Sequence, residues 1–138
     1  MKPAQALADL TEISSELEAA VLAGLDGSLV ATTLADDERS AAVMANALAL
    51  LEGARAAADG ARELTQVQAA TREGCVFVVS DERHVLAAVT GADPTAGLVF
   101  YDLKTTLRSV AEEDGKPKGK RARMAAKKPS AEEGGTDA

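Results

Sequence analysis

Residues 20–33 read AVLAGLDGSLVATT, two apolar runs on either side of Asp26-Gly27. An Asp-Gly pair supplies the positive φ angles of a tight turn whose twist matches that of paired strands. Val21, Ala23 and Leu25 before the pair, with Leu29 and Ala31 after it, recur with a period of two, which sets them on one sheet face. The spacing predicts a β-hairpin. A hairpin alone is marginal in water, so further strands or a helix must cover its apolar face.

Upstream, Leu7, Leu10, Ile13 and Leu17 recur at intervals of three and four, which predicts an amphipathic helix over residues 3–19 with Pro3 in its first turn. Downstream, Asp36-Asp37-Glu38 suits the start of a helix, where free backbone N–H groups and the macrodipole favour carboxylates. That helix is expected to reach about Asp59, with Gly60 as its C-cap. It carries two apolar stripes: Ala41, Met44, Ala45, Leu48 and Leu51, and, offset around the axis, Val43, Ala47, Leu50, Ala54 and Ala57. One small sheet cannot cover both. A second copy of the same Ala-rich helix is the natural cover for the second stripe.

Beyond Gly60 the period returns to two. Residues 63–71 (ELTQVQAAT) predict a polar strand, 75–80 (CVFVVS) a central one apolar throughout, and 84–90 (HVLAAVT) a third, in an antiparallel meander. Gly91-Ala92-Asp93-Pro94 breaks the run and Asp93 or Thr95 can cap a last helix, whose core face is Val99, Leu103, Thr106 and Val110 flanked by Leu98 and Leu107. The predicted order is αββαβββα, an α+β fold with a five-stranded antiparallel sheet. Residues 1–115 form the domain. Residues 116–138 have almost no large apolar side chains and are expected to be a disordered basic tail.

The 138 residues suffice for one domain with a real core. Aromatic residues make up 2% and Trp is absent, so no stacking platform for bases is visible. Charge is divided unevenly: through Gly115 there are 8 basic and 19 acidic residues, a net −11, whereas residues 116–138 carry 7 basic and 3 acidic, a net +4. The lone Cys75 excludes an internal disulfide and fits a reducing cytoplasm, and one His cannot build a multi-histidine metal site. Residues 1–20 lack the pattern of a cleavable leader and no apolar run approaches the roughly 20 residues that span a bilayer, so neither secretion nor membrane spanning is expected.

Cys75 with His84 is the one pair that could suggest nucleophilic catalysis, but neither has an orienting group nearby in sequence, so a packed thiol and an edge histidine account for them. No G-x-x-x-x-G-K-[ST] occurs. Asp36-Asp37-Glu38 is explained by capping without a metal, and Arg39 and Arg55 read as solvated arginines rather than catalytic fingers. No catalytic, cofactor or metal site is expected. Lys116, Lys118, Lys120, Arg121, Arg123, Lys127 and Lys128 leave three readings open: weak non-specific polyanion binding, a solubilising terminus, or attraction to the acidic body.

The order helix, hairpin, long helix, meander and closing helix resembles the roadblock/LC7 family across residues 4–113. The wording does too: AVLAGLDGSLVAT, LTQVQAATREGCVFVVSDERHVLAAVTGAD and GLVFYDLKTTLRSV are similar to that family's hairpin, meander and last helix. The resemblance implies a profilin-like domain that acts as a non-enzymatic homodimer. It implies that the long helices pair and that the polar third strand joins two sheets into one, as surfaces only; on this chain the second stripe, Val43, Ala47, Leu50, Ala54 and Ala57, with Gln66 and Gln68 of the polar strand, is expected at that interface. It further implies a regulator of a small Ras-like GTPase; the other role in keeping with it is a scaffolding dimer that tethers signalling or motor-type partners.

Overall fold

The computed structural model describes residues 2–58 and 65–115. Its order is α1 (Pro3–Ile13), β1 (Leu17–Gly24), β2 (Leu29–Thr32), α2 (Asp37–Ala57), β3 (Gln66–Ala70), β4 (Gly74–Ser80), β5 (His84–Gly91) and α3 (Ala96–Gly115). The strands form one antiparallel sheet in the order β2-β1-β5-β4-β3. Helices α1 and α3 cover one face, over a core of Leu7, Leu10, Leu22, Phe77, Leu86, Leu103 and their neighbours. Phe77, fully buried, meets Phe100 edge to face with ring centroids 5.0 Å apart. Helix α2 covers the other face, over Val21, Ala23, Val78, Val85 and Ala87.

The predicted order holds and three local details differ. Helix α1 stops at Ile13, six residues before Ala19; Ser14 is extended and its N–H returns to the Leu10 carbonyl. Leu17 therefore joins β1 and packs against the α1/α3 core, while Ile13 is 71% exposed. The hairpin loop also takes four residues rather than two: Gly24 N–H donates to the Ser28 carbonyl, and only Gly27 has positive φ, at 90°. Within the loop, Ser28 donates both its hydroxyl (2.7 Å) and its N–H (3.0 Å) to Asp26 Oδ1, and these bonds hold the Asp26 carboxyl below its ordinary pKa.

The third difference is in the faces. A register shift between Leu22 and Ala23 puts Leu29 opposite Ala23 but Ala31 opposite Leu22, so Ala31 packs against the α1/α3 core instead of sharing a face with Val21. Strand β1 is buried on both sides, and α1 rests on Ala20 and Leu22 while α2 rests on Val21 and Ala23.

Helix α2 starts as its acids require. The Asp36 carboxylate accepts from the N–H groups of Glu38 (2.9 Å) and Arg39 (3.3 Å). Gly60, expected as its C-cap, and Glu63 and Leu64, expected in β3, lie outside the described residues, as does the tail. The core face expected on α3 is buried at Val99, Leu103, Thr106, Leu107 and Val110, whereas Leu98 is 54% exposed. No described helix is long and apolar enough to cross a membrane.

Candidate dimer and partner interface

The two faces of the sheet are covered unequally. Five strands about 4.8 Å apart span roughly 19 Å, and a helix with its side chains is about 10–12 Å wide. Two helices cover one face, and α2 alone covers the other. Its buried seat is Met44, Ala47 and Leu51 over β1, β5 and β4, with the buried Ser40 hydroxyl 2.8 Å from that of Thr32 on β2. Helix α2 touches all five strands, with Val67 of β3 packed against its core, yet part of the face stays uncovered along its Val43/Leu50 flank. A groove of about 320 Å³ runs there, walled by Val43, Asn46, Ala47 and Leu50 of α2 and floored by Ala69, Val76 and Val89. The floor is one row across three strands, since Ala69 is opposite Val76 and Val76 opposite Val89.

Beside the groove the sheet has an open edge. Thr71 N–H donates to the Gly74 carbonyl and Ser80 N–H to the Thr65 carbonyl, so the odd-numbered residues of β3 turn their backbone groups towards β4. By the alternation of an antiparallel ladder, the N–H and C=O groups of Gln66, Gln68 and Ala70 point outward, where no described strand lies. An unprotected edge is a template for another strand.

The structure distributes the sequence-predicted interface residues over this region. Val43 and Leu50 are half-buried groove walls; Ala54 is half-buried further along α2, and Ala57 is exposed in its last turn. Ala47 is 1% exposed and belongs mainly to the seat of α2 on the sheet. Gln66 and Gln68 lie on the edge strand, with the Gln68 amide 3.9 Å from Cys75 Sγ on the far side of the sheet from the groove. Sequence reasoning missed Asn46 and the floor residues Ala69, Val76 and Val89. Their strands were legible, but which of their residues one helix would leave uncovered was not.

Cys75 and His84 do not meet. Cys75 is opposite Thr90, six residues along β5 from His84, a separation of about 20 Å. Arg39 is exposed in the first turn of α2, and Arg55 in its last turn is half-buried, 3.7 Å from Glu52. Among the described residues no group of three His, Cys, Asp or Glu side chains could hold a metal ion.

A five-stranded antiparallel sheet with two helices on one face and one on the other, in the order αββαβββα, is a profilin-like α+β domain. The family model of the Roadblock/LC7 domain matches residues 4–90, and the chain belongs to that family. A roadblock/LC7 domain from Streptomyces avermitilis is similar at 21% identity and a TM-score of 0.74, over 84% of this chain and 100% of that one. MglB of Myxococcus xanthus is similar at 14% identity and a TM-score of 0.63, over 83% and 96%. Profilin IB of Acanthamoeba castellanii shares the fold at 16% identity and a TM-score of 0.53, over 76% and 93%. No curated protein matches.

Proposed function

We propose that this roadblock domain is a non-enzymatic homodimer that binds a small Ras-like GTPase and modulates its nucleotide cycle or its location. One observation supports the dimer above the rest: the bare apolar groove and the outward-facing β3 backbone adjoin, so a second copy can satisfy both at once. Its α2 would fill the groove with Val43 and Leu50, and its β3 would continue the sheet past Gln66 and Gln68. The GTPase is supported by membership of the family and by the outer side of α2, where Ala41, Ala42, Ala45 and Ala49 stay exposed for a partner.

Immobilised full-length protein should retain a small Ras-like GTPase encoded beside it, and retention should differ between its GDP and GTP-analogue forms. Equal indifference to both forms would favour the scaffolding role instead.

The seven cations of residues 116–138, Lys116, Lys118, Lys120, Arg121, Arg123, Lys127 and Lys128, are assigned weak, salt-sensitive contact with polyanions. Deleting residues 116–138 should abolish retention on heparin and leave the thermal midpoint nearly unchanged. Retention by the truncated chain would move the basic surface into the domain.

A further inference from the structure

At the end of the sheet where α2 and α3 finish, away from the Arg72 turn, a cleft of about 780 Å³ opens between the two helices and the ends of β3 and β4. Its charge is out of keeping with the body around it. Residues 1–115 carry a net −11 with only 8 cations, yet three of these, Arg55, Lys104 and Arg108, line this one cleft.

Lys104 and Arg108 are one turn apart on α3, a like-charge spacing that costs a helix stability. Among the described residues neither has a carboxylate within ion-pair distance. The Arg55 Nε–H is shielded from solvent and has no acceptor among the described residues, although a terminal nitrogen of the same guanidinium lies 3.7 Å from Glu52. A shielded donor without a partner calls for a missing acceptor. Two carboxylates also line the cleft. Asp81 Oδ1 is engaged by the N–H groups of Arg83 and His84 in the β4–β5 turn, and Glu82 is exposed in that same turn.

The rest of the lining narrows the ligand. Buried Val79 and Leu107, with half-buried Ala111, provide apolar surface, and Thr65 and Ser80 add hydroxyls. The volume falls within the roughly 300–1,000 Å³ of ligand sites and far exceeds one small anion. Nothing aromatic lines the cleft to stack on a base. We propose that this cleft docks an acidic peptide segment of a partner protein, its carboxylates meeting Arg55, Lys104 and Arg108 and its apolar side chains resting on Val79, Leu107 and Ala111. Guanidinium groups suit this task because their planar fork matches a carboxylate. The inference does not depend on the dimer or on the GTPase.

The test uses the full chain and a fluorescein-labelled octapeptide, Glu-Asp-Leu-Glu-Glu-Leu-Asp-Glu, in about 150 mM salt, where charges more than roughly 8 Å apart are screened. Fluorescence anisotropy should show saturable binding. The Lys104→Glu/Arg108→Glu pair should weaken it by about tenfold or more, in line with the loss of hydrogen bonds to charged groups. Arg55→Gln should weaken it severalfold, and Arg72→Glu, at the other end of the sheet, should leave it unchanged. Amide resonances of Thr65, Ser80 and Leu107 should shift on titration.

Because all variants keep the basic tail, equal binding by the double variant would place the contact there and overturn the proposal. So would shifts confined to residues 116–138, an absence of binding, or displacement by millimolar inorganic phosphate, which would make this a small-anion site.

Discussion

Ala47→Glu is expected to lower the thermal midpoint by more than about 15 °C, a loss of roughly 3–5 kcal/mol for a domain of this size. Ala47 is 1% exposed and shares the seat of α2 with Met44 and Leu51 over Val21, Ala23, Val78, Val85 and Ala87. A glutamate there has no room for its methylenes in a close-packed layer. Its carboxylate would also be buried among aliphatic side chains, and an unpaired buried charge costs several kcal/mol in effective terms. Small domains have only about 5–15 kcal/mol in total. Circular dichroism melts of parent and variant measure the effect directly. A variant that melts within a few degrees of the parent would show that α2 does not seat on the sheet through Ala47.

Leu50→Glu is expected to act differently, weakening self-association by about 100-fold or more with the protomer still folded. Leu50 lies one turn from Ala47 but on the groove wall, half-buried, where a glutamate carboxylate can reach water as long as nothing covers it. Once a second helix fills the groove, the same carboxylate loses that water.

Gln68→Pro tests the edge independently. The Gln68 N–H points away from β4, so proline removes a donor to the neighbouring chain and leaves the internal ladder intact. Sedimentation should show the parent as a dimer and both variants as monomers. The parent's thermal midpoint should also rise with protein concentration, as it does for any assembly that unfolds with dissociation. A parent that sediments as a folded monomer would remove the dimer from the proposed function.

Periodicity and turn chemistry carried the architecture a long way. The hairpin, the meander and the α3 face through Val99, Leu103, Thr106 and Val110 are all legible, because each writes its geometry into residues at most a few positions apart. The Asp36 cap is legible for the same reason: its donors are two and three residues away. Local pattern is weaker where a boundary depends on a distant partner. The Leu7, Leu10, Ile13, Leu17 spacing reads as one helix, yet Leu17 is drawn into β1 by pairing with Thr90 and by packing against the α1/α3 core.

From the sequence alone came the order αββαβββα, the likeness to a roadblock domain, the opposed charges of body and tail, and a long helix with more apolar surface than one sheet can cover. Tertiary structure alone decided which part of that helix is covered. Alanine at positions 41, 42, 45, 47, 49, 54, 56 and 57 gives little angular contrast, so the seat at Met44, Ala47 and Leu51 is set by where β1, β5 and β4 lie beneath. It also decided which residues stay uncovered beside the helix, Ala69, Val76 and Val89, since that depends on how α2 lies across the strands. The convergence of Arg55 with Lys104 and Arg108 belongs to the same class: about 50 residues separate them in sequence, and they share a cleft because α2 and α3, on opposite faces, both finish at one end of the sheet.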